Sequence, residues 1–582
     1  MINLVQEKMY RNDIDGLRAI AVLAVIVFHF GFLPNGFLGV DVFFVISGFL
    51  ITGIIFKEIN DNRFSVINFY LRRTRRIIPL ALFVTLVALV LGIGTMLPDD
   101  LENLSQSVIA TNLFSNNILQ AITTKNYWDI ANEYKPLMHT WSLGVEEQYY
   151  FLYPLLFVLV GKKKSSWLLP IISAFAATSL ILYLLPFPEF QKFYQIFFRF
   201  WELAAGGIAA IALKNKLIDH KYSVPLSLFL IILLCFDFPF ITKQLALLIT
   251  VLITLGILVS SNNKNPILDN KLLVAVGKIS FSLYMWHQLL LAYTRYFLVQ
   301  ELHTKHLVVI FVLTVILSVI SYLFIEQPFR NKNKINTRNL LLILGVVFFL
   351  TNALSMYIYQ NSGVLKDIPQ LGIKKSEVER NMHAKYNARI VGYDHNFTNE
   401  NKIKVLVIGN SFGRDWANVL LESKYANDLD ISYIDNPDNH KELRAREEEA
   451  NVIFYADSTP ELHQVRNKIS ETKLWVVGIK NYGTSNGIFY NFKGDDYYKQ
   501  RTSIKKEYLE NNKILRQEWG NKYIDIIGKV IDDNDTVPVF TPFKQFISQD
   551  CRHFTKAGAQ YYAQLFEHEL KSIFSTVGWV ER

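Results

Sequence analysis

Apolar stretches of membrane-spanning length recur along the first 360 positions, divided by short polar turns rich in Lys and Arg. A hydrocarbon core takes about 20 apolar residues of helix to cross. The pattern therefore predicts about eleven spans, near 14–31, 37–56, 77–97, 144–160, 166–185, 198–213, 223–240, 244–260, 279–299, 306–325 and 339–358. The segment 101–121 is amphipathic and more polar, and is placed on the membrane surface. Beyond residue 400 the period changes. Short apolar runs at 404–409, 452–456, 474–479 and 537–540 read as buried strands, with helical patterns between and after them, including about 555–575. That alternation predicts an α/β domain with a mainly parallel sheet, whose site lies at the carboxyl ends of the strands. The predicted fold is a polytopic α-helical membrane domain over 1–335, an additional span over 336–360, a linker or extension over 361–400, and an α/β/α domain over 401–582.

Composition narrows the class. Of 582 residues, 51% are hydrophobic and only 19% charged, with a mean hydropathy of +0.20. Those values exclude a disordered chain, a fibrous repeat and an ordinary cytosolic enzyme. The net charge is +9, yet from Asn361 onward 31 Lys+Arg balance 31 Asp+Glu. The basic excess thus belongs to the membrane part, where it sets topology and attracts anionic ligands; nucleic acid is not an expected partner. With the N-terminus in the cytoplasm, about 22 basic residues fall inside and 7 outside. The inner set holds Lys8, Arg11, the Arg72–Arg76 cluster, Lys162–Lys164, Lys214, Lys216, Lys221, Lys264, Lys271, Arg330, Lys332, Lys334 and Arg338. An odd number of spans then puts the α/β domain outside the cytoplasm. The first apolar run lacks a small-residue cleavage site and reads as a retained span. Cys235 and Cys551 lie in different parts, so no disulfide framework is expected, and no metal-ligand cluster stands out.

In the α/β part, Gly409-Asn410-Ser411-Phe412 sits at a strand-to-helix turn, where backbone N–H groups can stabilise an oxyanion. A serine nucleophile needs a base, and the base an orienting group. Asp550-Cys551-Arg552-His553 lies just before the last helical pattern, spaced so that Asp550 can hold His553 against Ser411. The alternative is a solvated loop. The order Gly-Asn-Ser near the start and Asp-x-x-His near the end resembles the SGNH (GDSL-like) hydrolase family, with Asn410 where that family usually has Asp. The resemblance implies oxyanion donors from intervening blocks, for which Gly478 and Asn481 are the candidates, although the usual Gly-x-Asn-Asp is not reproduced.

Ionisable residues inside spans are costly and mark function. Arg18 and His29 are eleven residues apart in the first span, on one helical face and about 16 Å apart along the axis. Snorkelling for Arg18 and a satisfied interior imidazole for His29 are the simpler readings; together the pair suggests a ligand lying along the helix. Asp41, at the outer start of the second span, is placed to orient His29. Glu146 and Glu147 open a span on the same side, with Glu147 a second supporting candidate. Arg72, Arg73, Arg75 and Arg76 crowd a span entrance, as topology alone would require or as phosphate binding would.

These segments resemble the acyltransferase-3 family of membrane acyltransferases over about 10–330. The motifs are Asp15-Gly16-Leu17-Arg18 with His29, Gly39-Val40-Asp41-Val42-Phe43-Phe44-Val45-Ile46-Ser47-Gly48-Phe49, Phe69–Pro79, His139-Thr140-Trp141-Ser142-Leu143, Tyr284-Met285-Trp286-His287 and Ile325-Glu326-Gln327-Pro328. Fusion to an SGNH-like domain resembles the OafA/OafB-type bacterial O-acetyltransferases. The resemblance implies acetyl-CoA as donor, with its phosphates near Arg18, Arg72, Arg73, Arg75 and Arg76. It implies His29 as base or transient acetyl acceptor, and an envelope polysaccharide, such as lipopolysaccharide O-antigen, or a lipid-linked glycan as acceptor. It also implies residence in the bacterial inner membrane. A proton-coupled transporter and a membrane-anchored extracytoplasmic esterase are the alternatives. A carrier has no evident need for Ser411, and an anchor needs one span.

Overall fold

The computed structural model describes residues 10–123, 133–160, 167–212, 220–261, 264–298, 302–379, 382–437, 440–457, 473–483 and 486–580. Lys8, Lys162–Lys164, Lys214 and Lys216, used above for topology, lie outside the described residues. The chain divides into two compact units, one of residues up to Gly92 with Leu104–Met356, the other of Ile93–Asn103 with Tyr357 onward.

The first unit is helical. Its helices are α1 (Asn12–His29), α2 (Gly39–Asn60), α3 (Val66–Thr95), α4 (Pro98–Asn112), α5 (Asn116–Thr123), α6 (Trp141–Val160), α7 (Leu168–Leu184), α8 (Glu189–Tyr194), α9 (Ile196–Ala212), α10 (Ser223–Cys235), α11 (Lys243–Ser260), α12 (Lys271–Lys278), α13 (Ser280–Phe297), α14 (Thr304–Ser321), α15 (Gln327–Arg330) and α16 (Thr337–Gln360). Each of the eleven apolar windows falls on a helix, although α10 stops at Cys235. Among the described residues five helical stretches are long and apolar enough to cross a membrane: Gly36–Asn60, Val66–Thr95, Lys243–Ser260, Thr304–Arg330 and Thr337–Gln360.

The expected surface helix over 101–121 is corrected. Within this unit Asn112, Asn116, Asn117 and Gln120 are buried. Asn112 donates to Thr351 Oγ1 at 3.1 Å, and Asn116 to Leu137 O at 2.9 Å and Thr140 Oγ1 at 2.7 Å. Its polar stripe bonds to neighbouring helices, so the amphipathic pattern marks polar contacts between helices and not solvent.

Helices α2 and α9 meet backbone to backbone. A Cβ on Gly48 would stand 1.8 Å from Leu203 O, and one on Gly206 2.1 Å from Val45 O. Small residues permit that approach, and dispersion then acts along both helices.

In the second unit β1 (Ile403–Ile408), β2 (Leu429–Ile434), β3 (Val452–Tyr455), β4 (Leu474–Val477) and β6 (Tyr523–Ile524) form one parallel sheet in the order β2-β1-β3-β4-β6. β2 escaped the sequence reading because Asp430 and Ser432 interrupt its apolar run, although all six residues are buried. The strand expected at 537–540 is corrected to β7 (Thr536–Pro538), paired antiparallel with β5 (Arg501–Ser503) outside the main sheet. Pro538 has no N–H to donate to a central ladder. The stretch 361–400 packs on the α/β core as an extension: Ile390 is fully buried, and Arg446 donates to Asp394 at 2.7 Å and Asn396 at 3.0 Å. The chain order crosses from β2 to β3 around β1, and the crevice at that switch lies over the carboxyl end of β1.

Replacing Gly48 by Ala is expected to destabilise the protein by about 1–3 kcal/mol through overpacking. Gly53→Ala, on the same helix with nothing within 4 Å of the added carbon, should leave stability unchanged or raise it by up to about 1 kcal/mol. Thermal unfolding of both variants in detergent checks the pair.

Candidate active sites

At the end of β1 the chain turns through Gly409, whose φ of +139° suits glycine and whose added Cβ would strike Ala456 O at 1.8 Å. Asn410 caps the helix Ser411–Leu421: its Oδ1 accepts from Phe412 N at 3.0 Å, and its Nδ2 donates to Asp457 at 2.5 Å. Ser411 is the first helical residue. Its Oγ lies 2.8 Å from His553 Nε2, and His553 Nδ1 lies 2.5 Å from Asp550 Oδ2. Asp550 Oδ1 accepts the backbone N–H groups of Arg552 at 2.9 Å and His553 at 2.8 Å. An ionised carboxylate only accepts, so Nδ1 carries the imidazole hydrogen and Nε2 accepts from the serine hydroxyl. Burial works to raise the Asp550 carboxyl, but the His553 bond, its charge and the two backbone donors outweigh it and hold the group below the usual range.

The sequence reading missed the support beneath this triad. Asp415 is fully buried, pairs with Lys480 and accepts from Phe554 N at 2.9 Å. The Lys480 ammonium lies 4.5 Å from the centre of the Phe412 ring and 4.7 Å from that of Phe554. Burial lowers the Lys480 ammonium, and the Asp415 carboxylate works the other way. Asp415 thus ties the serine helix to the loop carrying His553 through the Phe554 amide, and to the segment after β4 through Lys480. Gly478 is corrected as an oxyanion donor: its N–H bonds Ile524 O at 2.8 Å as part of the sheet. Asn481 is buried, its Oδ1 accepting from Gly483 N at 2.9 Å, while its Nδ2 has no hydrogen-bond partner among the described residues.

The helical unit holds a cavity of about 790 Å³ lined by α1, α2, α3, α6 and α13. Arg18, Arg73, Arg76 and Arg330 stand on its wall with Glu146 and Tyr284. Arg72 and Arg75 do not line it. Arg72 bonds Glu58 at 2.9 and 3.0 Å, and Arg75 is buried, donating to the carbonyls of Phe329 at 2.9 Å and Ile335 at 2.8 Å. At about 100° per residue the four lie around α3 in the order Arg75, Arg72, Arg76, Arg73, and the cavity meets only the side of that arc that carries Arg76 and Arg73. The same geometry separates the two glutamates. Glu146 lines the cavity and accepts from Ser47 and Tyr150, whereas Glu147 is turned away from it.

His29, the last residue of α1, bonds His287: Nδ1 to Nε2 is 2.9 Å. His287 Nδ1 lies 2.6 Å from Tyr284 O. His139 is buried with its ring centre 5.3 Å from that of His287. Tyr284 joins cavity and histidines, its hydroxyl lying 2.8 Å from His139 O and 2.7 Å from Ser142 Oγ. Asp41, expected to orient His29, is corrected. It bonds Arg199 at 2.5 Å, because α9 packs against α2 and brings a buried guanidinium to that carboxylate.

A family model described as an acyltransferase domain matches residues 11–326. The chain belongs to the acyltransferase-3 family. The matched region includes Arg18, His29, Arg73, Arg76, His139 and His287; the α/β unit from Tyr357 onward lies outside it. A Staphylococcus aureus (strain MSSA476) protein named "Putative O-acetyltransferase SAS0844" is 32% identical over 356 residues, 56% of this chain and 58% of that one. "Peptidoglycan O-acetyltransferase OatA" of Listeria monocytogenes is 30% identical over 359 residues, 56% of this chain and 57% of its own. "Putative peptidoglycan O-acetyltransferase YrhL" of Bacillus subtilis is 30% identical over 368 residues, 57% of each chain. The chain therefore spans less than two thirds of the length of these relatives. No solved structure matches it.

The lowered Asp550 carboxyl makes the His553 loop sensitive to acid. Its folded value lies below the unfolded one of about 3.9, so the stabilisation is present above that pH and is lost as pH falls through the folded value. Hydrogen-exchange protection of the Arg552 and His553 amides in the full-length protein should decline below about pH 4. Asp550→Asn should remove that acid step.

Proposed function

We propose that this protein is a membrane O-acetyltransferase that passes acetyl from acetyl-CoA to a hydroxyl of a cell-envelope glycan. The observation that carries the reading is the basic cavity whose wall residue Tyr284 bonds to His139 and His287. Arg18, Arg73 and Arg76 form a wall suited to the phosphates of a nucleotide carrier, and Tyr284 on the same wall contacts the His29–His287–His139 cluster. Arg73 and Arg76 have no hydrogen-bond partner among the described residues, which leaves their donors for a ligand. In this reading the N-terminus is cytoplasmic, the protein resides in the bacterial inner membrane and the α/β unit is extracytoplasmic. The names of two relatives make peptidoglycan the first acceptor to test, ahead of lipopolysaccharide O-antigen.

His29 acts as general base at the thioester. The α/β unit acts as an SGNH-type transfer domain. Ser411 takes the acetyl group as its proton moves to His553 Nε2, which passes it to the leaving group; a glycan hydroxyl then gives its proton to the same nitrogen and attacks the acetyl carbon, and the released Ser411 oxygen takes that proton back. The 2.8 Å Ser411–His553 and 2.5 Å His553–Asp550 contacts support that assignment.

Membranes supplied with labelled acetyl-CoA and a panel of envelope glycans test the reading. His29→Ala should lower transfer by about 10²–10⁴-fold, and Ser411→Ala should abolish labelling of the glycan. Arg73→Ala and Arg76→Ala should each raise KM for acetyl-CoA about tenfold, with a smaller effect on kcat. Normal transfer by His29→Ala overturns the membrane step; normal transfer by Ser411→Ala overturns the role of the α/β unit.

A further inference from the structure

We propose that His287 is a positioning residue that fixes the His29 hydrogen on Nδ1 and so makes Nε2 the basic nitrogen offered to the acceptor hydroxyl. The proposal rests on the reading of His29 as general base given above. Only one placement of hydrogens satisfies both bonds of a neutral His287. The oxygen 2.6 Å from its Nδ1 is the carbonyl of Tyr284, which can only accept, so Nδ1 carries the hydrogen. Nε2 of a neutral His287 then has a lone pair and no hydrogen. That nitrogen lies 2.9 Å from His29 Nδ1, which must be the donor. The two ring centres lie 5.0 Å apart with the planes within 21° of parallel.

Two features keep this chain of bonds in one direction. His287 is fully buried, and among the described residues its ring nitrogens bond an imidazole and a carbonyl, with no carboxylate there to stabilise a second proton. The accepting carbonyl is also held firmly. Tyr284 lies within α13, three residues before His287, and its hydroxyl donates to His139 O at 2.8 Å and bonds Ser142 at 2.7 Å. The anchor is thus joined to two helices.

The reacting proton follows. In the membrane step, upstream of Ser411, the O–H bond of the hydroxyl that first takes the acetyl group breaks, its proton goes to His29 Nε2, and the oxygen forms the ester bond to the acetyl carbon. The carbon–sulfur bond breaks, and the leaving thiolate takes the proton back from Nε2. His287 neither gains nor loses a proton. It keeps Nδ1–H paired while His29 is an imidazolium, which strengthens that bond in the charged state.

The test uses the full-length protein in lipid nanodiscs. His287→Leu removes the acceptor, whereas His287→Gln can place Oε1 where Nε2 now accepts. We expect His287→Leu to lower kcat by about 10²–10⁴-fold with KM for acetyl-CoA unchanged, and His287→Gln to stay within about tenfold of wild type. The ¹⁵N spectrum of histidine-labelled wild type, assigned by loss of a signal set in His29→Ala, should show His29 as the Nδ1–H tautomer. Wild-type kcat in His287→Leu, equal losses in folded Leu and Gln variants, or an Nε2–H tautomer in wild type overturns the proposal. Where a variant fails to fold, the wild-type spectrum decides. An active His29→Ala enzyme would instead overturn the general-base reading itself. An inactive His29→Ala with a fully active His287→Leu would sink only the tautomer assignment.

Discussion

A polar or charged group inside an apolar helical unit persists only where a neighbour completes its bonding. That constraint sorts the buried ionisable residues of this protein. Arg199 lies 2.5 Å from Asp41 and 3.2 Å from Glu202, Arg75 donates to two carbonyls, and Glu326 accepts from Ser282 and Arg330 beside a π turn. Each of these groups is paired with a neighbour on another helix or turn, and the pairs hold those elements together. Arg73 and Arg76 differ, since they face the cavity with their donors uncommitted to the described protein. The difference between the two groups separates scaffold from site more sharply than the sign of charge does.

The same constraint explains what could be read along the chain and what could not. Apolar windows located the helices because length and hydropathy are local properties. The triad Ser411–Asp550–His553 was legible because Ser411 follows a strand-ending glycine and Asp550 lies three residues from His553. Partner choice was not legible. The Arg72–Arg76 run reads as one patch, yet the helical period divides it between a cavity and a structural clamp. Asp41 is near His29 in sequence, but the packing of α2 on α9 assigns it to Arg199. His139 and His287 stood in view as motif residues, and two imidazoles brought together from α13 and the start of α6 leave no spacing signal. For Lys480 and Asp415 the separation of 65 residues hides a buried pair altogether.

Both sites meet the same chemical need, an imidazole whose hydrogen is held on Nδ1, and they meet it with different partners. In the α/β unit the partner is a carboxylate, and the backbone donors of Arg552 and His553 share the burden of its charge. That arrangement does not transfer to the histidine cluster of the helical unit. A carboxylate beside His29 would need its own counter-charge there, as Asp41 needs Arg199. A neutral His287 anchored on a backbone carbonyl directs the proton without adding a charge to be desolvated. It stabilises an imidazolium less than a carboxylate would, which in the proposed reaction suits a base that releases its proton to a thiolate at the end of each turnover.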